Sequence, residues 1–210
     1  MKTNETKSSP VSMLKQDEKI LVVAKEKLFH GADLTGFQPL QSFAEYQCII
    51  EMHKEFLWRS KMEVDPAYKQ ICPYLIFNYK DKFFLMQRKN SASEQRLKNK
   101  YTFGIGGHIR EEDITGKDME AWADREFNEE ISYSGTYTMK ALGLINDESN
   151  PVGHVHTGFA FLLQGTSDDI EIRSELKHGQ LLTLKECESY FNDMEPWSQL
   201  IFDFLKNMNI

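Results

Sequence analysis

Cysteine is scarce in this 210-residue chain: Cys48, Cys72 and Cys187 are widely spaced, odd in number and form no C-x-x-C pair. That argues against a disulfide framework and against a structural zinc site, and it reads as three idle thiols in a reducing compartment. Long apolar runs are missing too. The longest, Ile20 to Ala24 and Gly158 to Leu163, have strand length and fall far short of the ~20 residues a spanning helix needs. The opening MKTNETKSSPVSMLKQDEK has no apolar stretch of signal-peptide type. Positive charge is in deficit: 25 Lys and Arg stand against 32 Asp and Glu, a net charge of -7. Holding nucleic acid by general charge attraction needs the opposite balance. The expectation is a cytoplasmic protein with no nucleic-acid and no membrane partner.

What is present suits one sizeable core. Hydrophobic residues make up 40% of the chain and aromatics 12%, in a length too short for two full domains. Residues 1-16 are polar and without periodicity, as in a loose tail. Residues 17-65 read as an N-terminal extension with a strand at Ile20 to Ala24. A helix is expected over Ser42 to Arg59, where Phe43, Tyr46, Ile49, Ile50, His53 and Leu57 fall near helical spacing. Residues 66-210 are more regular. Tyr74 to Tyr79 and Phe83 to Arg88 read as a hairpin about Asp81-Lys82. Tyr101 to Ile105 is a short strand, and Asp118 to Ile131 is the clearest helix. Thr138 to Asn146 and His154 to Gln164 read as strands. Glu171 to His178 is a short helix or loop, Gln180 to Thr183 a last strand, and Glu195 to Asn209 an amphipathic helix. Strands mixed with two or three helices imply a sheet between helices.

The chemistry lies on the helix DMEAWADREFNEEI. Met119, Trp122, Ala123, Phe127 and Ile131 form one apolar stripe. Thr115, three residues before Asp118, resembles a capping box. Glu126, Glu129 and Glu130 are spaced to share a side, where three carboxylates repel unless a cation sits among them. Such hard oxygen ligands suit Mg2+, with Mn2+ as a substitute, and these ions also bind substrate phosphates. Arg125 is placed to pin Glu129. Upstream, Gly106-Gly107 closes a strand and feeds a loop into this helix, and glycines let backbone approach a phosphate or an ion closely. A solvated acidic face is the plainer reading of the glutamates taken alone.

Gly106-Gly107-His108-Ile109, followed by Arg125-Glu126-Phe127-Asn128-Glu129-Glu130-Ile131, resembles the Nudix box, Gly-x5-Glu-x7-Arg-Glu-U-x-Glu-Glu-x-Gly-U with U a bulky apolar residue. The resemblance runs from about Ile71 to Phe204. Three positions depart from the pattern. Four residues are inserted between Gly107 and Arg125, in a loop where insertion is cheap. Lys117 stands where the first glutamate belongs, with Glu111, Glu112 and Asp118 as candidates to replace it. Ser132 stands where the late glycine belongs.

The resemblance implies an α+β fold, a Nudix-type α/β/α sandwich around a mixed β-sheet, carrying a small N-terminal αβ extension. It implies a metal-dependent hydrolase that cleaves a phosphoanhydride in a nucleoside diphosphate derivative or a similar phosphorylated metabolite. Metal ligands would be Glu126, Glu129, Glu130 and Gly107 through its carbonyl. Catalytic residues would be Glu129, Arg125 and Glu126, with Glu129 the best candidate for the base. Arg88 and Glu175 would contact substrate, and Glu171 is a further candidate base. Lys89, Arg96, Lys98 and Lys100 are basic neighbours, more in keeping with solubilising charge. His154 and His156, two apart on one strand, share a face and are more in keeping with packing or a substrate hydrogen bond than with a metal. Two alternatives remain: a non-catalytic module of the same fold that senses a nucleotide or binds protein, and an isomerase of the isopentenyl diphosphate type, which no well-placed cysteine supports. The extension is expected to cover the site, pair two subunits as a homodimer, or pack on the sheet.

Overall fold

The longest strand explains the rest of the architecture. β4 (Tyr68–Tyr79) is buried along nearly its whole length, and its side chains alternate between two cores. Leu75 and Phe77 face one side, Tyr74 and Ile76 the other. A strand covered on both faces favours apolar side chains on both, which accounts for the unbroken Tyr74-Leu-Ile-Phe run. The computed structural model describes residues 17-32, 34-89, 99-113, 118-173 and 176-208.

Before β4 come β1 (Lys19–Ala24), α1 (Lys25–Phe29), β2 (Gly36–Pro39), α2 (Ala44–His53), β3 (Glu55–Trp58) and α3 (Arg59–Met62). After it come β5 (Lys82–Arg88), β6 (Tyr101–Thr102), β7 (Gly104–Ile105), α4 (Met119–Glu130), β8 (Ile131–Tyr133), β9 (Tyr137–Asn146), α5 (Pro151–Val155), β10 (His156–Gly165), β11 (Ile170–Ile172), β12 (Leu176–Thr183), α6 (Leu184–Cys187) and α7 (Pro196–Asn207). The mixed sheet runs β12-β5-β4-β10-β9-β2. β4 and β10 are its parallel pair, with Cys72 opposite Gly158 and Gln70 opposite His156. β1 pairs with β4 and β3, β6 with β5, and β7 with β4, while β8 and β11 form a separate two-stranded sheet.

Helices cover both faces. On one, Trp122, Ala123 and Phe127 of α4, with Leu28 and Phe29 of α1 and Ile49 and Ile50 of α2, pack on Leu75, Phe77, Phe159 and Phe161. On the other, Ile201, Phe202 and Leu205 of α7 pack on Tyr74, Ile76, Phe83 and Leu162. This is the α/β/α sandwich the sequence implies. Among the described residues no helix is long and apolar enough to cross a membrane.

Pro73 sits inside a central strand, where its missing N–H normally costs a ladder bond. On that flank of β4 the β1 ladder ends at Gln70 and the β7 ladder begins at Leu75. Pro73 occupies the interval, and its carbonyl faces Gly106, where a Cβ would overlap that oxygen. The interval opens the cavity described below.

Several expectations change. The helix expected over Ser42 to Arg59 stops at His53, Lys54 is extended, and Glu55–Trp58 is a strand antiparallel to β1. Pairing with a buried strand outweighs the helical spacing of Leu57. The strand expected from His154 starts at His156. Asn150 caps α5 by accepting from the backbone of Val152 and Gly153, and Pro151 suits the first turn. His154 is therefore helical, and the two histidines share no strand face. Glu171 lies in β11 and Lys177 and His178 in β12, so strands replace the short helix or loop. Asp118 is itself the cap of α4, accepting from the Ala121 N–H at 2.9 Å. Thr115 lies outside the described residues.

Candidate functional site

The apolar stripe of α4 sets the orientation of its glutamates. With Trp122, Ala123 and Phe127 in the core, Glu126 is carried inward and Glu129 outward. The Glu126 side chain is 9% exposed, that of Glu129 50%. Glu126 lies against Gly107, where a Cβ would overlap Oε1. A side chain at 107 would push this carboxylate aside, so the Gly-Gly step and the helix are matched parts of one site.

Arg125 joins the two carboxylates. Its Nη2 donates to Glu126 Oε2 at 3.0 Å, and its Nη1 lies 2.7 Å from Glu129 Oε1. Arg110 approaches the same Glu129 oxygen at 3.6 Å. Sequence reading missed Arg110, which follows the Gly-Gly-His-Ile stretch by one residue. Glu130 is half-buried at the helix end, and its carbonyl accepts from the Arg173 N–H at 2.8 Å. Burial pushes the Glu126 carboxyl up to about 7, Arg125 opposes this, and Glu129 and Glu130 add to it.

The expectation that the three carboxylates gather tightly needs correction. Among the described residues they form no group with all ligand atoms within 4.8 Å of one another. Arginine neutralises the turn instead: Glu126 faces Gly107 while Glu129 is drawn toward Arg125 and Arg110. The donor set nevertheless suits a hard divalent cation, since a buried carboxylate with its pKa raised is one that a nearby positive charge would relieve.

A cavity of about 460 Å³ opens beside Gly106-Gly107, with Cys72, Tyr74, Arg88, His108, Glu195 and Trp197 in its wall. Arg88 Nε donates to Glu195 Oε2 at 2.9 Å. The other Glu195 oxygen accepts from Thr102 at 2.5 Å and from Tyr74 at 3.1 Å, and Tyr74 meets Ser198 at 2.7 Å. Burial, then the Glu195 charge, holds the Tyr74 hydroxyl well above its ordinary value. Arg88 thus reaches the cavity with Glu195 as an orienting partner. Glu195 reads in sequence only as a helix start, and nothing local reveals its pairing. Lys100 also lines the cavity, its Nζ 3.4 Å from the Asn192 carbonyl.

Cys72, His108 and His156 meet at the cavity wall, their ligand atoms all within 4.8 Å of one another. Burial pushes the Cys72 thiol up to about 12 and holds the His156 imidazole below its ordinary value. Sequence reading left Cys72 idle and paired His156 with the wrong histidine, because the contact joins β4, β10 and the Gly-Gly loop. His154 instead lies 2.9 Å from the Glu148 carbonyl.

The departures from the Nudix pattern acquire physical accounts. Ser132 lies in β8 opposite Glu171, in extended backbone that needs no glycine. Glu111 pairs with Lys19 at 3.2 Å, Glu112 with Arg110 at 3.5 Å, and Asp118 caps α4, so each candidate replacement for the first glutamate has another task. Lys117, Arg96, Lys98 and Glu175 lie outside the described residues.

No protein-family model matches the chain. It is 34% identical over 208 residues to Protein YmaB of Bacillus subtilis, covering 92% of this chain and all of that protein. It is 30% identical to the solved structure of Tm1382, a candidate Nudix hydrolase, with a TM-score of 0.74 over 91% of this chain and all of Tm1382. The fold also matches the Nudix domain of Shewanella oneidensis NrtR, solved with ADP ribose: 12% identity, TM-score 0.54, covering 68% of this chain and 89% of that one. Full-length correspondence at this identity, a shared fold, and Glu126 packed on Gly107 agree, and the chain belongs to the Nudix hydrolase family.

Proposed function

We propose that this protein is a magnesium-dependent pyrophosphohydrolase acting on a nucleoside diphosphate derivative or a similar phosphorylated metabolite. One observation carries the reading. A buried glutamate, Glu126, lies against Gly107 beside a cavity large enough for a small ligand, with Arg125 tying it to Glu129.

Glu126, Glu129, Glu130 and the Gly107 carbonyl would hold the cation. A divalent ion supplies neutralisation of phosphate charge and a more acidic bound water. Arg125 keeps Glu129 oriented through their ion pair. Glu129, the more exposed carboxylate, accepts the proton of the attacking water. Arg88, oriented by Glu195, meets the anionic part of the substrate. Glu175 rests on the family resemblance alone as a second substrate contact. Trp197, part-exposed in the cavity wall and packed edge to face on buried Tyr74, offers an aromatic surface for a base or another flat group. NrtR's Nudix domain was solved with ADP ribose, so ADP-ribose belongs in the first substrate panel.

Phosphate and pyrophosphate release from nucleoside diphosphate sugars, dinucleotides and nucleoside triphosphates, with and without Mg2+, tests the reading. Magnesium-dependent release that disappears in Glu129→Gln supports it. Release that survives this substitution undiminished rejects it.

A further inference from the structure

We propose that Cys72, His108 and His156 form a second cation site, one for a soft or borderline metal such as zinc, with its open position facing the cavity. The proposal does not depend on the Glu126 site. Thiolate and imidazole suit zinc, whereas carboxylate and carbonyl suit magnesium, so the two donor sets select different ions.

The three side chains are spaced as ligands of one ion would be. His108 Nε2 and His156 Nε2 are 3.1 Å apart. Two imidazole nitrogens bound tetrahedrally at about 2.0–2.1 Å stand ~3.3 Å apart, so little movement is needed. All three ligand atoms fall within 4.8 Å of one another. The tautomer of His156 is fixed as well. Its Nδ1 lies 2.8 Å from the Val152 carbonyl, which only accepts. Nδ1 therefore carries the proton, and the Nε2 lone pair turns toward His108. A metal-binding histidine is ordinarily held this way, by its other nitrogen on a carbonyl.

The fold delivers the three residues from separate elements. Cys72 on β4 lies opposite Gly158 in the parallel ladder, and His156 precedes Gly158 by two residues, so the pleat puts Cys72 and His156 on one face. His108 arrives on the loop after β7. That loop presses so closely on the chain beside Cys72 that a Cβ at Gly106 would overlap the Pro73 carbonyl. Gln70, opposite His156 on the same face, is fully buried, and its amide finds no partner among the described residues. An orphaned amide next to such a group points to something polar that is held there. Three protein ligands with a fourth position open to a cavity is the arrangement of a reactive zinc centre, and that position would take water or a substrate phosphate oxygen.

Cobalt(II) reports this site directly. Chelator-stripped protein titrated with Co2+ should develop a near-ultraviolet thiolate-to-metal band and the visible bands of a tetrahedral ion at one equivalent, both abolished by Zn2+. Cys72→Ser should lose the thiolate band. His108→Asn, at a half-buried loop position, should weaken Zn2+ binding by at least about 100-fold, beyond the loss typical of an outer-shell partner. Cys48→Ser, which removes the exposed thiol, and Glu129→Gln, which alters the other site, should bind as wild type. Absence of a stoichiometric band in the wild type, persistence of the thiolate band in folded Cys72→Ser, or unchanged Zn2+ affinity in folded His108→Asn overturns the proposal. Loss of binding in Cys48→Ser or Glu129→Gln overturns it too, by assigning the ion elsewhere.

Discussion

Replacing Glu126 by Gln should stabilise the metal-free protein at pH 8. Burial raises the folded-state pKa from 4.5 to about 7, in spite of Arg125. Below pH 4.5 the group is protonated in both folded and unfolded chains and contributes no difference. As pH rises toward about 7 the unfolded chain ionises freely, while the folded chain has to keep the proton or bury a charge, so stability falls across this window. At 1.36 kcal/mol per pK unit the interval corresponds to about 3 kcal/mol. Gln keeps the shape and can still accept from Arg125. A gain of about 2–3 kcal/mol at pH 8 in EDTA, or roughly 5–10 °C in melting temperature for a chain of this size, is the expected outcome. At pH 5 the gain should shrink below about 1 kcal/mol. Added Mg2+ should raise the wild-type melting temperature more than that of the variant, because a ligand stabilises the state that binds it. Denaturant titrations at both pH values, with EDTA or Mg2+, measure all of this. A variant no more stable than wild type at pH 8, or equally favoured at pH 5, refutes the account of Glu126 as a strained buried carboxylate.

Other outcomes follow from the same contacts. Glu129→Gln should lower magnesium-dependent kcat by at least about 100-fold in steady-state assays while leaving the melting temperature nearly unchanged. Gly107→Ala should displace Glu126, cost about 1–3 kcal/mol by overpacking, and abolish the Mg2+-induced rise in melting temperature. Glu195→Ala should remove the carboxylate that orients Arg88 and leave Thr102, Tyr74 and Ser198 without their shared acceptor; the measurement is KM, expected to rise more than kcat falls if Arg88 grips substrate. On the acid side Glu148 resists the upward pull of burial through bonds to Lys69 and Lys25 and sits at about 2, so its stabilisation is present above 4.5 and lost as pH falls toward about 2. Glu148→Gln should flatten that part of the acid-denaturation curve.

Much of this protein was legible from its sequence because the signals are local. The stripe Met119, Trp122, Ala123, Phe127 determines a helix and the side it buries, and the Arg125-Glu126…Glu129-Glu130 spacing places charge on that helix whatever it packs against. Runs such as Tyr74-Leu-Ile-Phe announce a strand covered on both faces. Other features depend on partners far apart in sequence. Glu55–Trp58 is a strand only because β1 is there to pair with it, and no spacing within the segment could say so. Glu126 and Glu129 lie three apart on one helix, which carries the first inward and the second outward, but Gly107 against Glu126 and Arg110 beside Glu129 are brought to them only by a loop from an earlier strand. Glu195 completes the cavity from a position 107 residues beyond Arg88. Cys72, His108 and His156 are unremarkable apart and meet only where a parallel strand pair and a glycine loop converge. Periodicity and charge spacing are properties of neighbours along the chain, whereas burial, and with it the chemistry of each carboxylate, thiol and imidazole, is conferred by whatever the fold sets against them.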